Sequence, residues 1–283
     1  MARKKNSIFQ TIIPVTGIIV AIVVGSLIGL RGNVVDQQIS YKFRKFLIPH
    51  EKVKVPILVY HYVEYVKDRK DTIRKSLSTA PHVLESQIKT LIADGYTFIT
   101  FKKLDQYFDG REKIPEKSII LTFDDGYEDF YTDVFPILRK YNVPAVQYVI
   151  SGFIDKPNYM TDKQLKEVIE SGLVEIGAHT VDHRNLKYLS DKDAQWEISQ
   201  SKKDLQEKYH ILVGAFAYPY GGYNDNTPEL VKKGGFITAV TTESGFMLSN
   251  DSRFTLYRIH PGISIGYELL SKFELLTNGY NKQ

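Results

Sequence analysis

From Val55 onward, short apolar runs of strand length alternate with stretches of helical periodicity, and this alternation limits the fold more than any other feature of the chain. Such alternation is the signature of βα units feeding a mostly parallel sheet. Strands are predicted at 56–60, 96–100, 118–123, 145–150, 174–178, 214–218, 236–240 and 255–259. Some helix ends are legible too. Thr161 with Gln164 forms a capping-box pattern, and Gly172 stands where a C-terminal glycine belongs. Thr227 followed by Pro228 reads as an N-cap and first-turn proline, with Gly234 ending that helix. Seven or eight such repeats within residues 55–283 predict an α/β fold, a distorted (β/α)7–8 barrel. No glycine-rich dinucleotide fingerprint follows the first strand, which argues against an open doubly wound sheet.

The N-terminal part is of another kind. Residues 6–30 carry no ionisable side chain and are long enough for one transmembrane helix, since roughly 20 residues span the hydrocarbon core. Arg3, Lys4 and Lys5 before it favour a cytoplasmic N-terminus, which puts the rest of the chain outside the membrane. A cleaved secretory signal is the competing reading, and either one exports the domain. Residues 31–54, polar and basic, read as a linker. The formal charge of +4 conceals an asymmetry: residues 1–30 carry +3 and residues 31–54 carry +4, so subtracting both leaves the remainder at −3. A slightly acidic domain gives no footprint for nucleic acid. With no cysteine, thiol nucleophiles, disulfides and zinc-thiolate sites are excluded, and any metal must sit on His, Asp or Glu.

Those residue types collect at predicted strand ends, where barrels build their sites. Residues 119–126 read IILTFDDG, an apolar strand ending in Asp124 and Asp125. The pair suits a plain turn, but adjacent carboxylates also point in different directions, so one can bind a metal while the other acts as a base. Residues 174–183 read VEIGAHTVDH, with His179 and His183 four apart, a spacing that puts two imidazoles on one face of a helical turn. The chain has only seven histidines, so two at one strand end and a free carboxylate at another make a His, His, Asp ligand set with open positions for water and substrate. Three more strand ends are polar: His61 after the first, Tyr218-Pro219-Tyr220-Gly221-Gly222 after the sixth, and Arg258-Ile259-His260 at the last. His61 also suits a packed core histidine, and His260 suits catalysis and structure equally.

TFDD at 122–125, HTVDH at 179–183 and AYPYG at 217–221, in that order, resemble the NodB-type polysaccharide deacetylases. PILVYH at 56–61 and SGLVEIGAH at 171–179 are similar to the intercellular-adhesin branch, poly-β-1,6-N-acetyl-D-glucosamine N-deacetylases. The resemblance implies a metal-dependent hydrolase acting on a surface N-acetylglucosamine polymer, with peptidoglycan or chitin oligomers as the alternative substrate. It implies that Asp125, His179 and His183 hold a divalent metal, Zn2+ before Co2+ or Ni2+. It makes Asp124 the general base, and has Tyr220 lend its backbone N–H to the oxyanion. His61 is placed with Tyr220 against the substrate, and His260 is the candidate general acid. The membrane and a polysaccharide synthase complex are the implied partners. Many members carry an arginine three residues before the tyrosine, where this chain has Ala217; Arg258 is expected to supply that charge. The same replacement motivates an alternative of another class, an inactive anchored carbohydrate-binding protein.

Overall fold

The computed structural model describes residues 52–66, 68 and 70–280, so the expected membrane helix and most of the expected linker lie outside the described residues. Among the described residues, no helix is long and apolar enough to cross a membrane.

In chain order the strands are β1 (Val53–Lys54), β2 (Ile57–Tyr60), β3 (Thr97–Phe98), β4 (Ser118–Phe123), β5 (Ala145–Val149), β6 (Val174–Ala178), β7 (Ala215–Ala217), β8 (Thr238–Ser244), β9 (Met247–Leu248) and β10 (Leu256–Arg258). The α-helices are α1 (Thr72–Leu77), α2 (Pro81–Ala93), α3 (Phe101–Phe108), α4 (Phe135–Tyr141), α5 (Asp162–Glu170), α6 (Asp191–Tyr209), α7 (Thr227–Lys233) and α8 (Gly266–Tyr280). The sheet order is β10-β8-β7-β6-β5-β4-β2, every neighbouring pair parallel. A parallel bridge between Leu58 and Ile259 joins the two ends: Val59 N–H donates to Ile259 O at 3.0 Å and Ile259 N–H to Ile57 O at 2.7 Å. The result is a nearly closed barrel of seven strands.

The predicted strand at 96–100 shrinks to the two residues of β3. The reason is competition for one edge: β3 pairs with β4 only at Ser118 and Ile119, and from Ile120 onward β2 occupies that edge. At the other end of the expected linker, Val53 and Lys54 form an antiparallel pair with β9 and so belong to the folded domain.

Alternation along the strands sorts side chains into two cores. Ile120, Val146, Tyr148, Ala215, Ala217 and Val240 pack together inside the barrel, and Phe101 and Leu104 of α3 join them. Ile119, Leu121, Phe123, Val149 and Phe216 belong to the cluster shared with the surrounding helices. The Glu175 carboxylate caps the start of α3 by accepting the Lys102 N–H at 3.1 Å; burial pushes its pKa up. Apolar packing thus fills one end of the barrel and leaves the strand C-termini for polar residues.

The Thr161–Gln164 box is reciprocal, and Gly172 adopts φ 67° after α5. The start of α7 differs from expectation. Thr227 is already helical, and the capping side chain is Asn224, whose Oδ1 accepts the N–H of Asn226 at 3.0 Å and of Thr227 at 3.1 Å. Thr227 Oγ1 donates to the same oxygen, so the amide three residues earlier does the work expected of the threonine.

Gly177 on β6 makes room for the inner core: a Cβ there would lie 2.4 Å from the Tyr148 ring. Tyr148 is fully buried and cannot swing out, so Gly177→Ala is expected to lower stability by about 1–3 kcal/mol, the usual cost of overpacking. Urea denaturation checks this, and an unchanged midpoint would show that the Tyr148 ring yields freely.

Candidate active site

Asp124 follows β4, where its N–H donates to Tyr60 O at 2.9 Å. Its carboxylate is almost wholly buried and is gripped by Arg258 in a two-pronged bond, Nη1 to Oδ1 and Nη2 to Oδ2, each 2.7 Å. Arg258 comes from the end of β10 and is 1% exposed. Two further donors are used as well: Nε donates to Thr241 O at 2.8 Å, and Nη1 also reaches Thr122 Oγ1 at 3.2 Å. Fork-to-fork geometry fixes direction as well as charge. Burial by itself would push the Asp124 pKa up, but Arg258 outweighs it and holds the carboxyl below the usual range.

Asp125, with φ 74°, turns the opposite way. Its Oδ1 lies 3.3 Å from His179 Nε2 and 3.2 Å from His183 Nε2. Burial disfavours the ionised form, yet the two imidazoles hold this carboxyl far below the ordinary range. The three residues form a group able to hold a metal ion, with ligand atoms all within 4.8 Å of one another. The fit is close, because ligands at about 2.0–2.1 Å on a tetrahedral zinc lie roughly 3.3 Å apart. Asp125 Oδ1 is also buried without a hydrogen bond, as an atom meant for a cation would be. His179 Nδ1 donates to Ala217 O at 2.8 Å, which fixes the tautomer and leaves Nε2 as the free lone pair. Ala217, the position at which the family resemblance led an arginine to be expected, therefore contributes through its carbonyl.

The two histidines do not sit on a helical turn, as their spacing suggested. Thr180 and His183 adopt φ 64° and 57°, and this tight turn brings the ring centroids to 4.9 Å. Tyr220 is left-handed as well, φ 59°, with its ring 4.6 Å from that of His183 and 66% of its surface exposed. The following Gly221 and Gly222 N–H groups close its turn on Tyr218 and Pro219 carbonyls.

His61 Nε2 stands 3.8 Å from Asp124 Oδ2, and burial draws its pKa down against the pull of the neighbouring carboxylates. His260 lies beyond β10 at the exposed rim, where its Nδ1 accepts the Gly262 N–H at 3.2 Å; burial, then His61 and nearby cations, lower its pKa. Thr122, Thr241 and Asp129 are parts of the site that sequence reading missed. The first two anchor Arg258, Thr241 through its main chain. Asp129 accepts the Val63 N–H at 2.8 Å and so fixes the segment after His61; burial pushes its pKa up to about 7. A polar residue inside an apolar strand was the available signal for Thr122.

The polysaccharide deacetylase family matches residues 111–239. YxkH of Bacillus subtilis, a candidate polysaccharide deacetylase, is 33% identical over 213 residues, covering 75% of this chain and 73% of that protein. A poly-beta-1,6-N-acetyl-D-glucosamine N-deacetylase of Staphylococcus aureus is 28% identical, over 79% of this chain and 81% of its own length. Among solved structures, Streptococcus pyogenes deacetylase PplD in complex with acetate is similar at 30% identity and TM-score 0.72, covering 79% of this chain and 99% of its own. IcaB from Ammonifex degensii is similar at 26% identity and TM-score 0.66, covering 74% and 91%. The chain belongs to the polysaccharide deacetylase family.

Removing one partner of a buried ion pair leaves a charge without compensation. Arg258→Met is therefore expected to destabilise the protein by about 3–5 kcal/mol, and Asp124→Asn in that background to recover a large part of the loss. Urea denaturation of the two single variants and the double variant reads the coupling; additive losses would show that the pair is not interacting.

Proposed function

We propose that this chain is a metal-dependent N-deacetylase of a surface poly-β-1,6-N-acetyl-D-glucosamine, anchored in the cell membrane with its catalytic domain outside. The observation that carries the reading is the pairing of two unlike neighbours. Asp125 shares its position with two imidazoles, while Asp124, one residue earlier, is clamped by Arg258 and is not part of that metal-holding group. The polymer is chosen because the Staphylococcus aureus relative acts on it. The membrane placement rests on the uncharged stretch at residues 6–30. A slightly acidic domain also suits a polymer that becomes cationic as acetyl groups leave.

An acetamide is a poor electrophile, and its hydrolysis needs a polarised carbonyl and an activated water held together. Asp125, His179 and His183 would hold a divalent cation, zinc before cobalt or nickel, which would supply Lewis acidity and lower the pKa of water. Asp124 takes the proton from the attacking water. Arg258 keeps that carboxylate ionised beforehand and fixes its aim. The Tyr220 N–H, in its strained turn, is assigned to the amide oxygen. The C–N bond breaks as the water oxygen joins the carbonyl carbon, and the leaving nitrogen needs a proton. His260 is the acid suggested by the sequence, but His61 is the imidazole beside Asp124 and can pass the captured proton onward. The products are a glucosamine unit and acetate.

Acetate release from poly-β-1,6-N-acetyl-D-glucosamine is expected to stop on chelation and return with zinc, cobalt or nickel. Asp124→Asn is expected to keep bound metal and lose release, and His179→Ala to lose both. Near-normal release by Asp124→Asn would sink the base assignment, and release only from peptidoglycan or chitin oligomers would move the substrate. Of the two imidazoles, His61→Ala is expected to lower turnover by about 10²-fold, the scale of a lost proton donor, and His260→Ala by much less. Steady-state rates on the polymer decide this, and the reverse order returns the acid to His260.

A further inference from the structure

We propose that Glu197, on the outer helix α6, is a positioning residue for the metal group; the proposal rests on the reading of Asp125, His179 and His183 as metal ligands. Glu197 is 0% exposed, and its Oε2 accepts two successive backbone N–H groups, Val181 at 2.9 Å and Asp182 at 3.1 Å. Those two residues make up the middle of the turn between His179 and His183. Nothing about a helix of the barrel exterior requires a buried acid there.

The turn has a backbone conformation that would not hold by itself. Thr180 and His183, on either side of the two bonded N–H groups, have φ 64° and 57°, a region that costs non-glycine residues of order 1–3 kcal/mol each. Its polar groups are fixed from two directions. Ser151 and Gly152 donate to the Thr180 and Val181 carbonyls at 3.1 and 3.0 Å. Gly152 can approach that closely because it lacks a Cβ, which would lie 2.6 Å from Val181 O. From the other side, Glu197 takes up the N–H groups. An ionised acceptor bonding two amides is stronger than a neutral one. The second oxygen, Oε1, has no hydrogen bond and faces the Arg184 guanidinium only at 4.0 Å, so the orientation of the carboxylate is set by the turn. Glu197 therefore acts on the metal through the geometry of the two histidines.

The test is metal affinity, measured by competition with a chromophoric chelator on the metal-free protein, together with the visible absorption of the cobalt-loaded form. Outer partners of metal ligands typically change affinity 10–100-fold. Glu197→Gln keeps shape and one acceptor oxygen, and it is expected to weaken zinc binding by about ten-fold and Glu197→Ala by about a hundred-fold, both with an altered cobalt spectrum. The metal-free unfolding midpoint of Glu197→Gln is expected to match that of the parent. Wild-type zinc affinity and an unchanged cobalt spectrum in Glu197→Gln would overturn the proposal, as would a Glu197→Gln protein that does not fold without metal. Should Glu197→Ala fail to fold, Glu197→Gln alone decides. Failure of the parent chain to bind zinc would fell the metal reading and this proposal together, whereas binding by the parent with no change in Glu197→Gln would fell this proposal only.

Discussion

The buried pair of Asp124 and Arg258 governs the architecture around it. Neither charge is tolerable inside the barrel without the other, and each comes from a different strand end. Strand β2 lies between those strands and ties both. Tyr60 O holds the Asp124 N–H, Leu58 O accepts from Thr122 Oγ1, and Ile57 O accepts from the Ile259 N–H next to Arg258. Closing the barrel and pairing the charges are thus one event: the bridge at Leu58 and Ile259 sets the position from which the guanidinium reaches across. Thr122, bonded to both Leu58 O and Arg258, couples the two.

Strain is concentrated at the same end. Of the eight non-glycine residues with positive φ among the described residues, four are Asp125, Thr180, His183 and Tyr220. Such conformations persist only when surrounding structure over-determines them. Here the determinants are visible: the Asp124 grip fixes the start of one turn, Ser151, Gly152 and Glu197 fix the second, and the Gly221 and Gly222 bonds fix the third. A rigid frame of this kind holds the Asp125, His179 and His183 group and the Asp124 carboxylate in place beforehand, the preorganisation that hydrolysis of a stable amide requires.

Much of this was legible in the sequence, for physical reasons. Strands buried on both faces leave long apolar runs, so 118–123 and 174–178 coincide with β4 and β6 to the residue. Carboxylates and imidazoles at the ends of such runs stand out because the runs themselves hold almost no polar atoms. Pairing partners were not legible: β3 is short because β2 claims the edge of β4, a contest that only the three-dimensional register reveals. The spacing of His179 and His183 gave the right grouping for the wrong reason, since a helical turn and a left-handed turn both bring positions four apart together. Thr122 and Asp129 looked like ordinary strand and turn residues, and their roles depend on Arg258 and Val63, far off in sequence.

The alanine at 217 is best understood through the arginine at 258. The Ala217 side chain belongs to the inner core, on a strand whose main-chain carbonyl already orients His179. A guanidinium from that position and one from β10 would compete for the same carboxylate. Asp124 has two oxygens, and Arg258 engages both. A second arginine would be left with a buried, unpaired charge, which costs more than any gain from gripping the carboxylate twice. A small residue at 217 is therefore what the chain needs once the charge arrives from β10, and a missing arginine there is no mark of lost activity. The motive for an inactive binding protein disappears with it, because a protein that only bound sugar would have no use for a buried guanidinium that keeps one carboxylate ionised and separate from its neighbour's imidazoles.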